Sequence, residues 1–84
     1  MSISTLLLDP VSNGHAQVTP NRYPAKVVIT FEPEGPAEAF YGVDGQIPST
    51  PLQQGVSTVV VNVNSLQLAY RTLKGKTKLQ WDVE

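Results

Sequence analysis

The side chains that could carry chemistry are few, and they do not form a catalytic or metal-binding pattern. His15 is the only histidine and the chain has no cysteine, so thiolate zinc sites, iron–sulfur clusters and cysteine nucleophiles are excluded. No Asp, Glu or second His stands at ligand spacing from His15. Because His15 follows the turn dipeptide Asn13-Gly14, it is predicted to be an exposed residue at the end of a hairpin. We therefore expect no metal and no cofactor.

Two other groups of residues suggest chemistry but are typical of turns. The segment 73–77, Leu-Lys-Gly-Lys-Thr, ends like a phosphate-binding P-loop, but position 70, where that loop needs glycine, is Tyr70. Glu32, Glu34 and Glu38 could be imagined as the paired acids of glycoside hydrolysis, yet Glu34 begins a Glu-Gly-Pro turn. The chain also lacks the Gly-x-Ser-x-Gly nucleophile elbow. These observations predict that the protein is not an enzyme.

Aromatic side chains provide a candidate contact patch. Phe40 and Tyr41 are adjacent, so they must point to opposite faces of any strand, and one of them is expected to face outward. Tyr23, next to a proline, is a further candidate. Exposed aromatic rings on sheet surfaces are used to bind sugars and other ligands. We predict a binding patch made of Tyr23, Phe40, Tyr41 and Val60.

The elements that position these residues are predicted to be strands. Val, Ile and Thr make up 21 of the 84 residues, and six glycines and seven prolines interrupt the chain frequently, which favours sheets over helices. Alternation of apolar and polar residues predicts seven strands, near 3–9, 15–19, 25–32, 37–43, 56–63, 66–72 and 77–83. Turn dipeptides separate them, among them Asn13-Gly14 and Asp44-Gly45, and 48–55 is predicted to be the longest loop.

Seven short strands in one chain predict an all-β fold with a single domain over residues 1–84. We expect a small antiparallel β-sandwich, or a partly open barrel. The apolar faces of the strands predict a core of Val27, Ile29, Phe31, Val59, Val61, Leu68, Leu79 and Trp81.

Composition and charge restrict the partners. The formal net charge is −1 and 15% of the residues are charged, below the about 25% of typical soluble domains. This balance favours neither nucleic acid nor an anionic membrane as a partner. The first nine residues lack the features of a secretory signal or a membrane span, so we expect cytoplasmic synthesis without a signal peptide. The low charge predicts a surface covered in part by copies of the chain or by another structural protein.

Self-association is predicted from the segment 56–63 and from the size of the chain. This segment is β-prone, uncharged, free of proline and apolar on both faces, so it belongs in the middle of a sheet or at a contact between copies. A monomer of 9.1 kDa buries only about 63% of its unfolded surface, which leaves a small core. The acidic segment 32–44 and the basic segment 71–78 could face each other within one fold or between copies.

The order of four elements, 25–31, 41–45, 59–63 and the closing strand 77–84, resembles the compact β-sandwich modules that decorate or join phage virions. The resemblance implies repeated copies, assembly in the cytoplasm and incorporation into a virion, with no catalysis. The sequence therefore predicts a non-enzymatic, self-associating structural protein. The alternative is a small monomeric module that binds carbohydrate or protein.

Overall fold

The computed structural model describes residues 2–9 and 11–84, and for Ser2 the backbone alone. These residues form no helix and eight strands, in two four-stranded antiparallel sheets that pack against each other as a β-sandwich. Sheet A has the strand order β1-β8-β3-β6, and sheet B has the order β2-β7-β4-β5. The strands are β1 (Ser2–Leu8), β2 (Ser12–Val18), β3 (Ala25–Pro33), β4 (Ala37–Gly42), β5 (Thr50–Pro51), β6 (Gly55–Val61), β7 (Leu66–Thr72) and β8 (Thr77–Val83).

The connectivity is that of one long hairpin rolled into a sandwich. Counting inward from the ends, β1 pairs with β8, β2 with β7, β3 with β6 and β4 with β5, all antiparallel. Rolling then adds the pairs β3–β8 and β4–β7, which complete the two sheets. This is the strand order of the eight-stranded jelly roll. The antiparallel sandwich predicted from the sequence is confirmed.

The core lies between the inner faces of the two sheets, where the alternation of the sequence predicts it. Seven of the eight predicted core residues are buried, and Val27, Ile29, Val61, Leu68 and Leu79 are 0% exposed. The eighth, Trp81, packs against the core but stays partly exposed.

The Asn13-Gly14 dipeptide is not a turn, which corrects the prediction of a hairpin there. Both residues lie inside β2, where Asn13 pairs with Arg71 and Gly14 with Tyr70. A β-carbon on Gly14 would lie 2.7 Å from the hydroxyl of Tyr70, so the glycine makes room for the tyrosine ring. His15 is consequently exposed in mid-strand rather than at a hairpin end.

Two further predictions about the strands differ from the structure. The predicted loop 48–55 contains the two-residue strand β5 and the first residue of β6, so the described part of the chain has eight strands rather than seven. The segment 56–63 supplies most of β6, which is an edge strand and not a central one. The alternative for this segment, a contact between copies, is taken up below.

The Asp44-Gly45 dipeptide takes the expected turn conformation. Asp44 and Gly45 have φ values of 58° and 83°, and the N–H of Gln46 donates to the carbonyl of Val43 at 3.0 Å. Positive φ at both central residues is the signature of the type I′ turn. This turn is the tip of the rolled hairpin.

Candidate functional site

The most exposed apolar strands of the molecule are the two edges of sheet A. β1 and β6 each have seven residues, without a charged residue or a proline. Each pairs with one neighbour only, so a row of backbone N–H and C=O groups faces solvent on the other side. Such an edge is a template for pairing with another strand, and soluble proteins usually protect it with charge, proline or a short strand.

The outward side chains of these edges are aliphatic. On β1, Ile3 is 59% and Leu7 is 77% exposed; on β6, Val56 is 69% and Val60 is 50% exposed. A threonine lies between the two aliphatic residues on each strand, because alternate residues share a face. The two edges therefore present matching apolar side chains.

The middle of the same face is polar and charged. The central strand β8 places Lys78, Gln80 and Asp82 outward, since its alternate residues pack in the core. On β3, Lys26 and Glu32 are exposed. The most exposed apolar side chains of this face therefore lie at the rims of sheet A, and its exposed charges lie on the central strands.

The two edge strands of sheet B, β2 and β5, do not expose aliphatic side chains. β5 is only two residues long and includes Pro51, two of the usual protections of an edge strand. β2 exposes Asn13, His15 and Gln17, all of them polar. The sheets therefore differ in the side chains at their edges: both edges of sheet A expose aliphatic residues, whereas β2 exposes polar ones and β5 is short.

The four residues of the predicted contact patch do not share one surface. Phe40 lies on the outer face of sheet B, in a row with Ala69 and Pro51. Tyr41 packs against the core, so Phe40 is the member of the aromatic pair that faces outward. Val60 lies on the outer face of sheet A. Tyr23, 42% exposed, belongs to the loop between β2 and β3, and its hydroxyl donates to the carbonyl of Asn64.

The acidic and basic segments face each other within one fold. The Nζ of Lys78 lies 3.7 Å from the Oε1 of Glu32. The N–H of Lys76 donates to the Oε1 of Glu34 at 3.0 Å. Glu32 and Lys78 are cross-strand partners on β3 and β8. Glu34 and Lys76 belong to the turns between β3 and β4 and between β7 and β8, which meet at one end of the sandwich. One charge pair between the two segments, Glu32 with Lys78, is therefore formed inside the chain.

A cleft of about 270 Å³ opens between the sheets beside β1. Its lining comes from β1, β2, β8 and the loop that crosses from β2 to β3. The residues are Ser4, Gln17, Val18, Thr19, Pro20, Asn21, Trp81 and Val83. The cleft explains the partial exposure of Trp81, because the indole lies where the two sheets separate. No sequence pattern marks this site, since it depends on the path of the crossing loop.

Three loops meet at the end of the sandwich where β6 finishes and β3 begins. The Oδ1 of Asp44 accepts hydrogen bonds from the backbone N–H groups of Asn62 at 2.9 Å and Val63 at 3.0 Å. This carboxylate joins the β4–β5 loop to the residues that follow β6. The contact between Tyr23 and Asn64 adds the β2–β3 loop. The end of the edge strand β6 is thereby held in place.

Comparisons with protein-family models, with curated proteins and with solved structures found no match to this chain. Within residues 2–9 and 11–84, no three or more His, Cys, Asp or Glu side chains are grouped so as to hold a metal ion. In the described part of the chain no helix has the length and apolar character needed to cross a membrane.

Proposed function

We propose that this protein is a non-enzymatic structural module that assembles with copies of itself through the edges of sheet A, in the manner of the small β-sandwich modules of phage virions. The observation that carries the proposal is the pair of edge strands, β1 and β6, which are uncharged and free of proline and which expose aliphatic side chains. A chain with two such edges is expected either to pair them or to aggregate.

The distribution of apolar surface favours edge-to-edge contact over stacking of faces. Face-to-face packing would bury the exposed charges of Lys26 and Lys78 on the outer face of sheet A, and removing a charge from water is costly even when it is paired. Edge pairing covers Ile3, Leu7, Val56 and Val60 and leaves those charges in water. It also satisfies the backbone groups of the edge strands.

The directions of the strands permit a continuous sheet. Neighbouring strands in the order β1-β8-β3-β6 are all antiparallel, so β1 and β6 run in opposite directions. Two copies placed side by side in the same orientation therefore bring β6 of one against β1 of the next as an antiparallel pair. This head-to-tail contact covers both exposed edges, and it produces a ring or an open chain of copies.

Two general properties are consistent with this role. The jelly-roll strand order occurs in viral capsid domains as well as in lectins, although a fold alone does not determine function. The accessible surface of the chain is 5129 Å², close to the about 4,900 Å² expected for a folded monomer of this mass. The core is accordingly small, and additional burial between copies would contribute appreciably to stability.

The first test is the oligomeric state and its dependence on the edges. We expect the purified protein to sediment as an oligomer at micromolar concentration. Val56→Glu with Val60→Glu should dissociate it into 9.1 kDa monomers. The fold should tolerate this change, because both side chains face outward and Val60 lies opposite Lys26. Ile47→Glu, at a loop residue that is 80% exposed, is the matched control and should leave the oligomer intact.

A mixing experiment tests the head-to-tail arrangement. Ile3→Lys with Leu7→Glu blocks β1, and it places each new charge opposite an opposite charge, Asp82 or Lys78. The β1 variant and the β6 variant should each be monomeric alone. Mixed, they should form a heterodimer, since one retains an intact β1 and the other an intact β6. A wild-type monomer at every concentration would exclude the proposal and favour a monomeric binding module. A homodimer of the β1 variant would instead indicate symmetric β6–β6 pairing.

A further inference from the structure

The cleft beside β1 combines an apolar floor with a polar rim. Trp81, Val83 and Val18 supply the floor, and all three also pack against the core. The lining also includes four residues with hydroxyl or amide side chains: Ser4, Gln17, Thr19 and Asn21. The exposed lining is more polar than apolar, which suits a ligand that carries many hydroxyl groups.

The indole of Trp81 is held in place by the sheet. Trp81 lies on β8, between Ser4 of β1 and Ile29 of β3 in the strand register. Its neighbours on the same inner face, Thr77 and Leu79, are 2% and 0% exposed, whereas Trp81 remains partly accessible through the cleft. A rigid aromatic surface that is open on one side can bind a ligand at little cost in conformational entropy.

One rim group is also fixed before any ligand binds. The Nε2 of Gln17 donates to the Oγ of Ser65 at 3.2 Å, and Ser65 is only 6% exposed. This hydrogen bond restrains the amide and leaves its carbonyl oxygen as an acceptor. Gln17 therefore contributes a restrained polar side chain to the lining of the cleft.

The chemistry of the lining determines the class of ligand. None of the described residues that line the cleft carries a charged side chain, so an anion or a cation would find no compensating charge among them. A pyranose ring matches it, since its C–H groups can pack on the indole while its hydroxyls both donate to and accept from amides and hydroxyls. The volume of about 270 Å³ is below the roughly 300–1,000 Å³ of drug-sized sites, which suits a single ring.

We propose that this cleft binds one ring of a neutral sugar, a terminal or isolated hexopyranose, stacked on Trp81. The cleft lies beside β1, one of the two assembly edges, and away from β6 at the other edge of sheet A. An assembling module with such a site would carry one sugar-binding cleft in every copy.

Trp81 provides its own reporter because it is the only tryptophan in the chain. Methyl glycosides of glucose, galactose and mannose should be titrated into the protein while tryptophan fluorescence and the indole N–H resonance are followed. We expect a saturable change with at least one glycoside, at a millimolar dissociation constant as expected for one small ring. Glucuronate and glycerol should give no saturable change.

Variants of the rim test the assignment without disturbing the core. Gln17→Ala and Asn21→Ala, both at exposed positions, should weaken binding about two- to tenfold, the effect of one lost hydrogen bond. Gln53→Ala, also exposed but outside the cleft, should have no effect. The titration should give the same result with the Val56→Glu, Val60→Glu variant, which separates this site from assembly.

Three outcomes would overturn the proposal. The first is no saturable change with any of the three glycosides up to about 100 mM, where binding is too weak to matter. The second is an equal response to glucuronate, which would show that the cleft does not select neutral rings. The third is unchanged affinity in both rim variants, which would place the sugar elsewhere.

Discussion

Replacing Asp44 should destabilise the protein more than expected for a partly exposed side chain in a loop. Its Oδ1 accepts two backbone hydrogen bonds, from Asn62 at 2.9 Å and Val63 at 3.0 Å. Each is worth about 1 kcal/mol when discounted for solvent exposure. Asp44 also has a φ of 58°, and alanine in that conformation costs about 1 kcal/mol more, because aspartate and asparagine tolerate it better.

The expected loss of stability for Asp44→Ala is therefore about 3 kcal/mol, two-thirds of it from hydrogen bonds and one-third from the backbone. In a domain of this size about 1 kcal/mol shifts the melting temperature by roughly 4–8 °C. Asp44→Ala should thus lower the melting temperature by about 12–24 °C. Asp44→Gly loses the hydrogen bonds but not the backbone conformation, so it should lose about 2 kcal/mol.

Asp44→Asn is the matched control, because its amide oxygen can still accept and its backbone tolerates positive φ. It should lose less than about 1 kcal/mol. Thermal and urea unfolding of the three variants, in a monomeric β1 or β6 background, give the comparison free of assembly. Equal melting temperatures for Asp44→Ala and the parent would show that the carboxylate does not hold the loops together, and the reasoning would fail.

Two further predictions concern the core and a close turn. Trp81→Ala should lower the free energy of unfolding by about 2–3 kcal/mol. This is less than the about 3–5 kcal/mol typical of a fully buried ring, because part of the indole lines the cleft. Leu79→Ala, at a fully buried position, should lower it by about 3–4 kcal/mol. Urea unfolding checks the order, and a larger loss for Trp81→Ala would contradict it. Gly35→Ala should cost about 2 kcal/mol, because its β-carbon would collide with the carbonyl of Lys74, whose carbon lies 3.1 Å away. Pro36→Ala, in the same turn, is the control and should change stability by less than about 1 kcal/mol; equal melting temperatures for the two variants would refute the collision.

Strand identity could be predicted wherever one face of a strand is buried. In β3 the alternation of buried and exposed residues follows the sequence closely, with Val27, Ile29 and Phe31 inward. The period of two in the sequence is the period of the sheet, so no tertiary information is needed there. β5 escaped prediction because two residues cannot show a period, and its pairing with Phe40 and Tyr41 exists only in the folded chain.

Turn chemistry predicted some reversals correctly and misassigned one. Asp44-Gly45 forms the expected turn, whereas Asn13-Gly14 lies inside a strand. The dipeptide Asn-Gly permits a tight turn but does not require one, and at Gly14 the missing side chain serves to accommodate Tyr70. Local sequence cannot distinguish these two uses of glycine.

The candidate sites were predictable only in part. The apolar, uncharged character of β6 was evident in the sequence, but its edge position, and the matching edge of β1, follow from the order of strands. Trp81 was expected in the core because its alternation is regular. The cleft that exposes it is formed by the crossing loop, 19–24, and by the separation of β1 from β2, neither of which leaves a periodic signal.

The rolled hairpin has a consequence for how the chain can fold. None of the first four strands pairs with another of the first four, and none of the last four pairs with another of the last four. Every ladder of hydrogen bonds joins the two halves, on either side of the turn at Asp44 and Gly45. While residues 1–45 leave the ribosome, their strands have no native partner, and β1 cannot pair until β8 has been synthesised. Folding must therefore begin after most of the chain has been made, and such non-local pairing is intrinsically slow. During that interval the uncharged strand β1 is exposed to its neighbours on the same polysome, at the stage when uncontrolled pairing is most dangerous to it.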